Sequence, residues 1–224
     1  TMEEIRRLFQ ARGKLQFDES PIINSSINDI DWGVFNDYYR KVYGNQSLLN
    51  GKKLVSILLK HHILVSSEGQ EMLSLAGLLV FGKNPQTFLK YSGMTLMHFK
   101  GIKKMLQDKI TGLELEGNLP QLVKGAEDFI KTNLRIKSKM EGFKRIDIPE
   151  IPFEVIREAL INAVCHRDYL IFGNKIRFFL FKDRIEIRSP GRLPNTVELK
   201  DLGDSPPFAR NQLIVGFMNR LGYI

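Results

Sequence analysis

A chain of 224 residues with a formal net charge of +8 is long enough for two domains of ordinary size. Its hydrophobic fraction of 43% and charged fraction of 26% exclude a fibre or an extended disordered chain. One cysteine, Cys165, allows neither an internal disulfide nor a thiolate metal cluster, which fits a reducing cytoplasm.

The positive balance favours polyanionic partners, through encounter rather than through fold. No apolar run approaches the ~20 residues needed to span a bilayer, so no membrane partner is expected. Thr1-Met2-Glu3-Glu4-Ile5 has no basic n-region leading into an apolar h-region, so it is no secretory signal. A threonine ahead of Met2 suggests a cut piece or a tag scar rather than a natural start. The histidines, His61, His62, His98 and His166, show no H-E-x-x-H spacing, and zinc is not expected.

In chain order, residues 3–11 read as a short helix with Ile5, Leu8 and Phe9 on one face, stopped by Gly13. Asn28 then reads as an N-cap, with Asp29 and Asp31 in the first turn. Ile30, Val34, Phe35, Tyr38 and Tyr39 form the apolar stripe of the helix that follows. Leu54, Ile57, Leu58 and Ile63 mark a third helix, with His61 and His62 expected on its solvated face. The turn-back after Ser66-Ser67-Glu68-Gly69 suggests a winged-helix-like module. Residues 75–83 are an apolar core segment, 94–99 read as a strand, and 119–134 as an amphipathic helix. Lys131, Arg135, Lys137, Lys139, Lys144 and Arg145 then form a basic run, either a solvated linker or a surface for phosphates. The chain is therefore expected to divide into a helical, winged-helix-like connecting region, 1–135, and a second domain, 136–224.

From Pro152 the pattern changes. Val155, Ile156, Ala159, Leu160, Ala163 and Val164 give one helix a broad apolar face up to about Cys165. Residues 175–181 and 184–188 read as a hairpin around Lys182-Asp183, with Ile185 and Ile187 inward and Arg184, Glu186 and Arg188 outward. Residues 212–221 form a last helix. The fold class is α+β: a mainly helical N-terminal part with a small strand element, then an antiparallel sheet backed by helices.

Glu158, Asn162 and His166 recur at four-residue spacing, on one stripe of a helix otherwise devoted to core. Polar groups beside a buried face cost stability unless each finds a partner. A nucleotide would supply one. Glu158 could orient or deprotonate an attacking water, Asn162 could give Mg²⁺ an oxygen ligand, and His166 or Arg167 could face phosphate oxygens. The same spacing occurs on any amphipathic helix; Glu158 then pairs with an arginine, Asn162 caps a backbone group and His166 is an ordinary surface residue.

The run Glu158-Ala159-Leu160-Ile161-Asn162-Ala163-Val164-Cys165-His166-Arg167-Asp168-Tyr169 is followed in order by four further motifs. They are Asp183-Arg184-Ile185-Glu186-Ile187, Ser189-Pro190-Gly191-Arg192-Leu193-Pro194, Ala209-Arg210-Asn211 and Leu221-Gly222-Tyr223-Ile224. This set resembles the signature of RecG C-terminal-related bacterial proteins, known as transcriptional regulators or ATP-dependent DNA helicase-related proteins. Phe17-Asp18-Glu19-Ser20-Pro21 and Ala76-Gly77-Leu78-Leu79-Val80-Phe81-Gly82-Lys83-Asn84-Pro85 resemble the segment that precedes this domain.

The resemblance implies a Bergerat-like domain of the GHKL ATPase type, with ATP and Mg²⁺ held between sheet and helices. Glu158 and Asn162 match the Glu and Asn of its N-box helix. It implies Glu158 as the water-activating group and Asn162 as the Mg²⁺ ligand. Nucleotide contacts would come from Asn162, His166, Arg167, Asp168, Ser189, Gly191, Arg210 and Asn211. Asn211 reads equally as a helix N-cap, and Ser189-Pro190-Gly191 as a turn after an edge strand.

In the adenine box, D-x-G-x-G, Ser189 stands for the aspartate and Leu193 for the second glycine. A hydroxyl accepts more weakly than a carboxylate. A second glycine box would fall beyond Ile224, and the Schlafen/AlbA-like DNA-binding domain that opens such proteins would lie outside this chain. The expectation is a cytoplasmic regulator fragment, binding DNA through the full-length protein and able to form a homodimer. The intact protein would be at most a weak ATPase, and this fragment not catalytic. A ligand-free scaffold for dimerisation is the alternative. A helicase motor needs G-x-x-x-x-G-K-[ST]; residues 77–84 come closest, and Asn84 replaces the hydroxyl.

Overall fold

A computed structural model describes residues 16–44, 50–192 and 209–224. The helix expected at 3–11, and Leu193 and Pro194 of the adenine-box motif, lie outside those residues. Helix α1 (Trp32–Tyr43) is capped by Asp31, whose carboxylate accepts from the Gly33 and Val34 amides at 3.0 and 3.3 Å. Asn28, expected as that cap, sits instead in a 3₁₀ turn (Ile27–Asp29) closed by Ser26 and Asp29 in a reciprocal capping box. The shift arises because Ile30 must extend to bridge Gly82, so the helix starts only after it.

Helix α2 (Lys52–Lys60) leads into a hairpin of β1 (Leu64–Ser67) and β2 (Gln70–Leu73). Helix α3 (Leu75–Phe81) follows, every residue of it buried. His61, at the end of α2, is not on a solvated face. Its Nδ1 lies 3.0 Å from the Tyr38 hydroxyl and its Nε2 2.6 Å from that of Tyr43. Arg220 donates to the Tyr38 oxygen at 3.2 Å, so that hydroxyl is left to donate to Nδ1, and the ring is held neutral. Burial, then the Arg220, Lys60 and His62 charges, lower its pKa from 6.5. The unfolded chain takes the proton more readily, so the stability this contributes is present above about pH 6.5 and lost as pH falls below it. Urea midpoints on either side of that pH should show the decline, and His61→Asn should flatten it; an unchanged slope contradicts the assignment.

Strands β3 (Met94–Phe99) and β4 (Lys109–Leu115) precede helix α4 (Leu119–Asn133), whose N-cap Asn118 and Gln121 form a second capping box. The basic stretch is no linker: β5 (Ile136–Glu141) and β6 (Lys144–Pro149) pair antiparallel about Gly142, which takes the left-handed φ of 61° that the turn needs. Helix α5 (Phe153–Cys165), β7 (Ile176–Leu180), β8 (Ile185–Arg188) and α6 (Gln212–Arg220) complete the chain.

The main sheet has the order β4-β3-β7-β8. It is mixed, not wholly antiparallel: β3 and β7 run parallel, with Leu96 opposite Phe178. A parallel join needs a long crossover, supplied here by α4, the β5–β6 hairpin and α5. Leu96, Ile176 and Phe178 face the helices, and the Phe129 ring of α4 meets Phe178 edge-on at 6.4 Å. The class is α+β as read from the sequence, a four-stranded sheet backed by helices. Strands from either side of residue 135 share this sheet, and one apolar core runs from Ile30 to Leu221.

Candidate functional site

Helix α5 turns Ile156, Leu160, Ile161, Ala163, Val164 and Cys165 into the core. Glu158, Asn162 and His166 share a stripe on its exposed side. Glu158 and Asn162 are exposed, so burial sets no cost there that a ligand would have to relieve, whereas His166 is partly desolvated. Among the described residues, none of the three side chains has a hydrogen-bond or ion-pair partner. The neighbouring Arg157 is spent elsewhere, on Glu127 at 3.5 Å and the Gly222 carbonyl at 2.9 Å. Desolvation by burial, then the Arg210 charge, lowers the His166 pKa, which favours the neutral ring at pH 7.

The remaining candidates form a second, different arrangement at the C-terminal end of α5. A helix leaves its last carbonyls without intrahelical partners. Here the Ser189 hydroxyl donates to Ala163 O (2.7 Å), Tyr169 to Val164 O (2.9 Å), and Asn211 Nδ2 to Cys165 O (2.8 Å) and Arg167 O (2.9 Å). Three successive carbonyls are thus capped by side chains from three motifs. Buried Arg167 donates to Tyr91 O (2.6 Å) and Asn174 O (2.9 Å) and lies over the Tyr169 ring; burial lowers its pKa. Buried Asp168 accepts from Leu170 N (3.0 Å) and Arg210 (3.3 Å), and its own amide donates to Pro190 O (2.8 Å). Gly191 has φ 132°, and a Cβ there would lie 3.0 Å from the Asp168 Cβ, so only glycine fits. Arg210 also donates to Arg192 O.

The structure therefore brings Arg167, Asp168, Ser189, Gly191, Arg210 and Asn211 together as a joint between α5, the end of β8 and the start of α6. Glu158, Asn162 and His166 lie alongside it, with their polar atoms free among the described residues. Burial pushes the Cys165 thiol up to about 12, which leaves it unreactive. Residues 77–84, the nearest approach to a P-loop, run from buried α3 out through Gly82, and the Lys83 ammonium donates to Asn28 O at 2.8 Å.

Asp18 belongs to the same joint; in the sequence it stands only within Phe17-Asp18-Glu19-Ser20-Pro21, a motif read for its family resemblance and not for a role of this residue. Its carboxylate is buried and accepts from the Leu213 amide at 2.7 Å, capping α6 from outside that helix. It replaces Asn211, which holds the N-cap position of α6 but makes no side-chain cap there, being committed to α5. Desolvation raises the Asp18 pKa against the backbone bonds that lower it. Asp18→Ala should cost about 1–2 kcal/mol in chemical denaturation; an unchanged midpoint would contradict the cap.

As for Mg²⁺, no group of three or more His, Cys, Asp or Glu among the described residues could hold a metal alone. Magnesium takes one or two protein oxygens when phosphates supply the others. The free oxygens of Glu158 and Asn162 fit that limited part.

A family model described as "Putative ATP-dependent DNA helicase recG C-terminal" matches residues 173–224, which take in β7, β8 and α6. No curated protein matches the chain. The crystal structure of the DIP2311 protein from Corynebacterium diphtheriae has a similar fold, with a TM-score of 0.72 at 18% identity. The similarity covers 97% of this chain and 42% of that one, so the chain spans less than half of that protein's length.

Proposed function

We propose that this chain is the nucleotide-responsive part of a DNA-associated transcriptional regulator, binding ATP with Mg²⁺ against the exposed stripe of α5. The observation that carries the reading is the pairing of that unpartnered stripe with a C-terminal segment matching the ATPase-type recG C-terminal family. Asn162 would offer its oxygen to the metal, and Glu158 would orient water in an intact enzyme. The Ser189 hydroxyl gives its proton to Ala163 O and keeps its oxygen lone pairs for the adenine amino group. DNA is reached through the longer protein.

Calorimetric titration of ATP–Mg²⁺ into the full chain should give saturable heat that Asn162→Ala removes without lowering the melting temperature. Absence of heat at millimolar nucleotide, with the protein folded, would sink the proposal. A ligand-free dimerisation scaffold is the second reading, favoured by the commitment of Arg167, Asp168 and Asn211 to backbone groups. It predicts that Glu158→Ala and Asn162→Ala leave every output of the regulator unchanged.

A further inference from the structure

The connection between β3 and β4, residues 100–108, has a composition that neither the core nor the α5 site uses. It is ordered by its own backbone, with Lys100 N–H donating to Asp108 O at 2.8 Å. It is pinned to the β7–β8 turn by Lys182 N–H on Gly101 O (3.2 Å) and by Arg184 on Ile102 O (3.0 Å). Beneath it, Phe99, Phe179 and Phe181 form a small separate cluster, with the Lys104 ammonium 4.6 Å from the Phe179 ring centroid. The aliphatic side chains of the loop take no part in that cluster.

They point outward. Leu106 is 91% exposed, Ile110 55%, Ile102 53% and Met105 44%. Lys100, Lys103, Lys104 and Lys109 alternate with them, and Lys182 adjoins from the next turn. Among the described residues, no carboxylate makes a salt bridge to any of these five lysines. Isolated exposed apolar residues are ordinary, but four within nine positions, interleaved with cations of which Lys104 rests on the Phe179 ring and Lys109 feels the Glu114 charge, make a patch.

We propose that this loop rests on an anionic lipid surface, the lysines at the headgroups and Leu106, Ile102 and Met105 in the acyl boundary. Charge complementarity sets the sign of the partner. The aliphatic tip decides its class: duplex phosphates would satisfy the lysines and leave those side chains in water, whereas a bilayer interface takes both. No described helix is long and apolar enough to cross a membrane, which does not bear on a chain that lies upon one. The proposal stands apart from nucleotide binding.

The test is co-sedimentation of the full chain with phosphatidylcholine vesicles, with and without phosphatidylglycerol. Binding should require phosphatidylglycerol and weaken with salt. Each lysine near an anionic surface is worth about fivefold in affinity, so Lys100→Glu with Lys103→Glu should cost at least about 25-fold. Leu106→Asp, at a position that leaves the fold untouched, should remove binding at moderate salt. Lys52→Glu with Lys53→Glu, exposed on α2, should leave binding nearly unchanged. The proposal is overturned by absence of vesicle binding at low salt, by equal loss in the α2 variant, or by a Leu106→Asp chain that binds as well as the parent. Retention on duplex DNA that depends on the same lysines while vesicles are ignored overturns it in favour of nucleic acid.

Discussion

Asn211→Ala is expected to destabilise the chain by about 3 kcal/mol, because it leaves two buried carbonyls without donors at about 1–3 kcal/mol each. Those carbonyls are Cys165 O and Arg167 O, held now at 2.8 and 2.9 Å by one amide group. For a chain of this size that is a fall in melting temperature of roughly 6–12 °C. Asn211→Asp should be as harmful, since a carboxylate has no N–H to give and would sit unpaired at full burial. The loss should be the same with and without ATP–Mg²⁺, whereas a nucleotide contact would show itself only when ligand is present. Thermal melts of both variants in the two conditions separate these cases. A variant with parental stability removes Asn211 from the joint.

A pair of glycine substitutions should move stability in opposite directions. Glycine within a helix costs about 1 kcal/mol relative to alanine, so Gly→Ala stabilises wherever the methyl has room. Gly216, inside α6, has nothing within 4 Å of the Cβ position, and Gly216→Ala should gain up to about 1 kcal/mol. Gly77, inside α3, would place its Cβ 2.2 Å from Ile63 O and 3.0 Å from the carbonyl carbon. Those are backbone atoms, fixed by the Ser74 N–H bond to Ile63 O at 3.0 Å. Overpacking against backbone costs about 1–3 kcal/mol and, at so short a contact, exceeds the propensity gain of about 1 kcal/mol, so Gly77→Ala should destabilise by up to about 2 kcal/mol net. Urea denaturation of the two single variants checks both signs. Two stabilised variants would mean that α3 does not lie against the Ile63 carbonyl.

Helix α5 shows how far pattern alone could carry the site. The apolar period placed Ile156, Leu160, Ala163 and Val164 inward correctly but also Val155 and Ala159, which are exposed, and the four-residue spacing put Glu158, Asn162 and His166 on one stripe. Spacing fixes which residues share a stripe; it does not fix how far that stripe is rotated from the core. Glu158 and Asn162 face solvent, and only His166 is partly desolvated. The order of the motifs after α5 was equally visible, but their purpose was not. Ser189, Tyr169 and Asn211 lie at different distances along the chain, and nothing local reveals that they converge on three neighbouring carbonyls.

The mixed sheet and the β5–β6 hairpin were missed for related reasons. Lys109-Ile110-Thr111-Gly112-Leu113-Glu114-Leu115 is an edge strand, and its weak alternation becomes β4 only because β3 offers a ladder to pair with. The basic residues of 136–149 suggested solvent, and solvent exposure is compatible with a two-stranded ribbon as well as with a linker. By itself the sequence determined the α+β class, the helices α4, α5 and α6, and the strands β3, β7 and β8, because helical and strand periods are local properties of side chains. Only the tertiary structure decided that β3 runs parallel to β7, that Asp18 caps a helix nearly two hundred residues away, and that the motif residues divide into a free stripe and a buried joint. Those are pairings between distant parts of the chain, where several partners satisfy the same donor and only packing selects among them.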